Sequence, residues 1–296
     1  PNSLLIGLAA PLRHALKRPV CCTLQGEDLF LDGLVEPYRT RATGLIRRQV
    51  GDVDMFLPVS DGYVQTMSER LHIPLDRMST VPLGINLAGY KRRAAASDSD
   101  FRVGYFARLA PEKGLHVLAE AYARLRARTP DARMRLEAAG YLAPAQGPYL
   151  EGVRRQLDAA GLGGEFTYHG TVNRDGKLAF LESLDVFSVP ATYDEPKGVF
   201  LLEAMAAGVP VVQPRRGAFT EIVEKTGGGL LVRPDDSRAL ADGLHSLWQD
   251  AALRDRIGRQ GFEGVREHYN VQRSTDRLLT VYEGVIARSR SQLPSA

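Results

Sequence analysis

Between residues 101 and 232 the chain switches repeatedly between two periods. Short apolar runs, FRVGYFA (101–107), RMRLEAAG (133–140), DVFSVP (185–190), VPVVQP (209–214) and GGLLVRP (228–234), read as strands. Between them lie stretches at helical period, GLHVLAEAYARLRAR (114–128), PYLEGVRRQLDAAG (148–161) and the run that follows Glu195. Strands that are apolar on both faces must be covered on both, and strand–helix alternation builds parallel sheets. Right-handed crossovers then leave a doubly wound, Rossmann-like α/β domain as the expected topology.

Residues 1–90 repeat this grammar in shortened form. LLIGLAAPLRHALKR (4–18) reads as a helix that Pro11 starts or kinks, and RPVCCTLQ (18–25) as a strand. YRTRATGLIRRQV (38–50) and DGYVQTMSERLH (61–72) read as helices, VDMFLPVS (53–60) and RMSTVPL (77–83) as strands. These strands are too few for a complete doubly wound domain, and the chain opens on Pro1. A first domain lacking its opening units is the expectation, with exposed sheet edge and apolar surface. KRRAAASDSD (91–100) reads as a linker whose basic triplet, Lys91 to Arg93, is solvated. Three amphipathic helices, 237–249, 252–269 and 271–289, close the chain. The expected organisation is a partial first domain and linker (1–95), a second domain (96–268), and a last helix (269–296) packed back toward the first.

Composition narrows the function. The net charge is +3 and aromatic content 7%, which argues against a dedicated nucleic-acid binder. A small anionic substrate fits this balance without being required by it. Cys21 and Cys22 are the only cysteines, and their adjacency gives neither a disulfide framework nor a metal-ligand spacing. The six histidines are scattered, so no metal site is expected. No apolar run approaches the length of a membrane span.

The chemistry concentrates in DEPKGVFLLEAMAAG (194–208) and GYFARLAPEKGLHVL (104–118). Glu195 follows a strand, where ligands of open α/β sheets bind. Pro196, Lys197 and Gly198 are expected to start a helix whose free N–H groups make an anion site. Glu203 lies among Leu201, Leu202, Ala204 and Met205, where a carboxylate needs polar partners such as sugar hydroxyls. Taken alone, the two glutamates read as a loop acid and a helix-surface acid. Arg108 and Lys113 at another strand end alter the balance, because two cations beside a helix N-terminus oppose its dipole yet suit a diphosphate. Two other features carry less. Asp52-Val53-Asp54 spells a D-x-D motif but leads into a strand. The basic end of helix 4–18 (Arg13, His14, Lys17, Arg18) suits an anionic membrane surface, but packing on a sheet is the simpler reading.

These stretches resemble the retaining glycosyltransferases of family 4, which have the GT-B fold of two Rossmann-like domains with an interdomain cleft. GYFARLAPEKG resembles G-R-L-x-x-E-K-G, and DEPKGVFLLEAMAAGVPVV resembles E-x(7)-E followed by A-M-A-x-G-x-P-V-V. GAFTEIV (217–223) resembles the family's G-G-x-x-E-I-V loop, and HGTVNRDGKLAFLESLDVFSVP (169–190) its H/N-G segment, helix and strand. The N-terminal match is looser, through TLQGED, VSDGY and VPLGIN.

The resemblance implies a nucleotide-sugar-binding second domain and specific roles. Arg108 and Lys113 bind the donor diphosphate, and Glu195 holds donor-sugar hydroxyls. Glu203 holds the ribose. The backbone of Lys197, Gly198 and Val199 meets phosphate, and Gly170, Thr171 and Val172 border the base. Gln25, Glu27 and Asp28 lie on the acceptor side. There the family's H-G-x-D is replaced by Gln25-Gly26-Glu27-Asp28, and Gln25 cannot carry a proton. Lys197 stands where an aromatic is common, and Ala107 and Ala218 stand for glycines. The family's first strand and Gly-rich donor loop would precede residue 1.

The implied activity is metal-independent, retaining transfer of a sugar from a nucleotide-diphosphate donor, UDP- or GDP-type before ADP-type. No cofactor is implied, and the acceptor is a sugar or lipid-linked hydroxyl. The implied location is cytoplasmic, with peripheral contact at the inner membrane face. The alternative is a catalytically impaired nucleotide- or sugar-binding module. An oxidoreductase would need G-x-G-x-x-G where RLAPEK follows the strand 101–107.

Overall fold

The computed structural model describes residues 1–93 and 100–291, so part of the expected linker, 94–99, lies outside the described residues. The chain divides into two units, one of Pro1–Gly84 with Asn270–Ala296 and one of Ile85–Tyr269.

The first unit opens with a 3-10 turn, Ser3–Leu8, running into helix α1 (Ala9–Leu16). Pro11 sits in the first turn of α1, where no N–H is missed. Ile6 and Ala9 are buried, while Leu5, Leu8, Leu12 and Leu16 stay exposed. Strand β1 (Cys21–Leu24) pairs in parallel with β2 (Met55–Pro58) through a crossover containing α2 (Glu27–Asp32) and α3 (Tyr38–Gln49). Helix α4 (Asp61–Leu71) follows β2. Cys22, Leu24, Ile46, Phe56 and Met67 form the core between sheet and helices. Both thiols are free, and burial pushes Cys22 up to about 12.

The strand expected at 77–83 is reduced to a single bridge, Phe56 to Met78. Ser79 and Val81 donate to the Phe56 and Pro58 carbonyls, each at 2.9 Å. Pro58 has no N–H to return a bond, so the ladder stops there. One acid of the D-x-D motif is tied up internally: Asp54 accepts from Arg13 and from the Val20 N–H, both at 2.7 Å.

The second unit holds a six-stranded sheet, every pair parallel, built from β3 (Phe101–Phe106), β4 (Met134–Ala139), β5 (Phe166–Tyr168), β6 (Val186–Phe187), β7 (Val211–Pro214) and β8 (Gly229–Val232). The spatial order is β5-β4-β3-β6-β7-β8. The chain winds outward from β3, returns to lay β6 beside it, and winds outward the other way. The switch point therefore lies between β3 and β6, where open α/β sheets bind ligands.

The connections are α5 (Leu115–Arg128), α6 (Gly147–Ala159), α7 (Arg174–Glu182), α8 (Val199–Ala206) and α9 (Gly217–Thr226), followed by α10 (Ser237–Gln249) and α11 (Ala251–His268). Val103, Tyr105, Leu136, Phe187 and Val211 are wholly buried, as strands covered on both faces require.

Three expectations change in this unit. GAFTEIV is no loop but the start of α9, because Gly217 at φ +49° turns the chain into a helix whose apolar face packs on the core. Helix α8 begins at Val199, not Pro196, with Gly198 at φ +60° preceding it. Arg93 is not a solvated cation: it pairs with buried Asp185 at 2.7 Å.

The last helix, α12 (Val271–Ser291), belongs to the first unit. Its Val281 and Val285 pack on Met55, Leu57 and Val81. No helix among the described residues is long and apolar enough to cross a membrane.

Candidate active site

The switch point of the second unit gathers charge from both sides. After β3 the chain makes a 3-10 turn, Pro111–Lys113, closed by Gly114 at φ +75°. A Cβ on Gly114 would stand 2.0 Å from the Pro190 carbonyl oxygen, so only glycine lets this turn reach the segment leaving β6. That contact brings Lys113 to Glu195. The Lys113 ammonium donates to a Glu195 carboxylate oxygen and, at 2.5 Å, to the Tyr193 hydroxyl, which itself donates to the same carboxylate. The ammonium also lies 4.9 Å from the Tyr193 ring centre and 5.6 Å from that of Phe200.

Both ions are out of solvent, with 13% of the Lys113 side chain and 3% of the Glu195 side chain exposed. Burial pushes the Glu195 carboxyl upward, but the Lys113 charge and hydrogen bonds from Lys113, Tyr193 and the Lys197 N–H outweigh it and hold the group below its ordinary range. The second carboxylate oxygen of Glu195 accepts the Lys197 N–H at 3.3 Å. The Glu195 carbonyl accepts the Ala218 N–H at 2.8 Å, fixing the residue to the start of α9.

Helix α8 leaves this cluster with its amino end toward Lys197, Gly198 and Val199. Glu203, one turn on, is 14% exposed at its side chain and pairs with Lys177 of α7 at 2.5 Å. Its partner within the protein is thus the Lys177 ammonium. Beside it lies Tyr90, 6% exposed, with its hydroxyl near the Glu203 carboxylate. Burial, then the Glu203 charge, push that hydroxyl above the ordinary tyrosine range.

Gly170, Thr171 and Val172 connect β5 to α7, the helix that carries Lys177. The Gly170 carbonyl accepts the Gly140 N–H at 2.9 Å, and neighbouring His169 meets Glu137 at 2.6 Å. Arg108 stands apart from Lys113. Its side chain is 46% exposed and pairs with Glu112 at 2.5 Å. The two cations expected to act side by side are therefore one buried and one at the surface.

In the first unit, Gln25, Glu27 and Asp28 follow the carboxyl end of β1. Gln25 is exposed, and its N–H donates to Glu27 at 2.6 Å. Tyr63 donates to Asp28 and accepts the Gly26 N–H at 3.1 Å. Both carboxylates thus brace the turn into α2, where Gly26 takes φ +106°. Among the described residues no three His, Cys, Asp or Glu side chains are grouped to hold a metal ion.

The fold is that of GT-B glycosyltransferases. Sucrose-phosphate synthase from Thermosynechococcus elongatus superposes with a TM-score of 0.81 at 21% identity, covering 97% of this chain and 73% of that one. Anabaena HepE in complex with UDP and glucose gives a TM-score of 0.81 at 18% identity, covering 95% of this chain and 76% of that one. In sequence, the phosphatidyl-myo-inositol mannosyltransferase of Mycobacterium leprae is 32% identical over 234 residues, 77% of this chain and 57% of the relative. The family model for glycosyl transferases group 1 matches residues 90–264, and the chain belongs to that family. It spans about half the length of the curated relatives it matches.

Proposed function

We propose that the second unit binds a nucleotide-diphosphate sugar and that the protein moves the sugar, with retention and without a metal ion, to an acceptor hydroxyl. The observation that carries this reading is the buried Lys113–Glu195–Tyr193 cluster beside the amino end of α8. An ammonium held in low dielectric next to helix N–H groups suits a departing diphosphate. Arg108, tethered only at the surface, can swing to the distal phosphates. The Glu195 oxygen that faces the Lys197 N–H keeps acceptor capacity for a sugar hydroxyl. Glu203 and Lys177 frame the ribose, and the 170–172 loop borders the base.

With the leaving phosphate taking the acceptor's proton, the transfer needs no side-chain base. UDP or GDP is the expected carrier, and the acceptor is a sugar or a lipid-linked sugar. Such donors place the reaction on the cytoplasmic side, at the membrane face when the acceptor is a lipid. Gln25 in the position of a family histidine favours one second reading, a module that binds the donor without turning it over.

Calorimetric titration with UDP, GDP and ADP tests the site, on the protein and on its Glu203→Ala and Arg108→Ala variants. One nucleotide binding, and weakening in both variants, supports it. No binding to protein shown to be folded sinks it. Donor binding without transfer or hydrolysis selects the second reading.

A further inference from the structure

Two clefts open in the first unit at the amino ends of β1 and β2, away from the ends that carry Gln25 and Ser60. Strands of four residues separate the two ends by about 13 Å. One cleft, of about 420 Å³, is lined by Arg13, Asp54, Asp76, Arg77 and Arg288, with Met55 and Val285. The other, of about 380 Å³, is lined by Arg18, Pro19, Cys21, Tyr282, Val285 and Ile286. Val285 of α12 lines both, and Cys21 and Met55 are neighbours across the sheet, so the clefts adjoin.

Their chemistries differ. The first is charged, with three guanidinium groups against two carboxylates. Asp54 is already paired with Arg13. Arg77 is held by the carbonyls of Val50 and Gly51, at 3.1 and 3.4 Å, neutral acceptors that fix the group in the cleft wall. The Arg13 Nε–H is buried and has no acceptor, an orphan donor of the kind that costs stability unless a ligand supplies one. The second cleft is walled mostly by carbon, and Ile286 and Tyr282 are 43% and 38% exposed there.

We propose that the two clefts form one site for an anionic amphiphile, with its phosphate against Arg13, Arg77 and Arg288 and its hydrocarbon against Tyr282, Val285 and Ile286. Phosphate matches guanidinium groups in charge and fork geometry. The site is distinct from the donor site of the second unit and does not depend on it.

The test is calorimetric titration with three probes: inorganic phosphate, dihexanoyl phosphatidic acid below its micelle concentration, and dihexanoyl phosphatidylcholine. Phosphatidic acid should bind at least about tenfold tighter than inorganic phosphate, because apolar burial adds to the phosphate contacts. Arg288→Glu should weaken both anions by about tenfold or more, and Ile286→Glu only phosphatidic acid. Both positions are exposed, so unchanged melting temperatures certify the variants. No binding of phosphatidic acid, or binding indifferent to Arg288→Glu, overturns the proposal. Phosphatidylcholine binding as tightly as phosphatidic acid overturns it by removing the arginines' role. Inorganic phosphate binding equally tightly overturns the amphiphile and leaves a free-phosphate site.

Discussion

Glu195→Gln removes one charge from a buried pair while keeping the shape of the side chain. Lys113 is then left at 13% side-chain exposure with only the hydroxyl and two ring faces that it already had. Breaking a buried pair on one side costs about 3 kcal/mol. For a unit of this size the melting temperature should fall by about 6–12 °C. Lys113→Met should cost a similar amount, by stranding the carboxylate. The double variant should recover most of either loss, because a neutral replacement of a buried pair costs little. The binding data should split where the stability data agree. UDP brings its own negative charge to Lys113, so Glu195→Gln should bind UDP at least as tightly as the parent, whereas Lys113→Met should lose about tenfold or more. Urea denaturation and calorimetric titration measure the two quantities on the same samples. Stability losses that add to within about 0.5 kcal/mol would show that the pair is not coupled. A loss of UDP affinity in Glu195→Gln as large as in Lys113→Met would place Glu195 on the nucleotide and refute its assignment to the sugar.

The same pair sets a pH dependence. The Glu195 carboxyl is lowered in the folded state, so its stabilisation is complete above the ordinary carboxylate range, about 4.3, and is lost as pH falls through the lowered value. Urea midpoints of the parent and Glu195→Gln should therefore differ by a constant amount above about pH 5 and converge in acid. Gly217→Ala should act on the site from a distance: at φ +49° its Cβ would stand 2.5 Å from the Glu195 carbonyl oxygen and 2.7 Å from its nitrogen, and displacing that backbone should cost about 1–3 kcal/mol by thermal melting together with sugar-dependent donor affinity. Glu203→Ala should weaken UDP by about tenfold and leave 2′,3′-dideoxy-UDP unchanged, by competition calorimetry, since a carboxylate that holds the ribose loses nothing when the hydroxyls are absent.

The strands of the second unit were readable because burial on both faces forces a continuous apolar run, and FRVGYFA or VPVVQP leaves little choice. Strand β5 was not, since FTY is three half-buried residues at the edge of the sheet. Helix α2, at six residues, is too short to show a period. Motif spacing placed Lys113, Glu195 and Glu203 at strand ends and on a helix. It did not show which charges would meet, because β3 and β6 become neighbours only through the winding of the sheet. Lys177 and Tyr90 were invisible for the same reason, being 26 and 113 positions from Glu203.

The pairing seen only in the fold changes the electrostatic argument. Read from the sequence, Arg108 and Lys113 were two free cations awaiting a diphosphate. In the structure three cations of the site face carboxylates: Arg108 with Glu112, Lys113 with Glu195, Lys177 with Glu203. A net positive pocket would take any polyphosphate, but a pocket neutral pair by pair rejects one, because phosphate gains a cation only where a carboxylate is left short. A nucleotide-diphosphate sugar satisfies both halves, its phosphates toward the cations and its ribose and sugar hydroxyls toward the acids. On this reading inorganic pyrophosphate should bind at least about a hundredfold more weakly than the complete donor, and most of that gap should vanish in Glu195→Gln, where one acid no longer needs a donor. Pyrophosphate binding as tightly as UDP in the parent protein would show that the site attracts by net charge, and the exchange argument would fall.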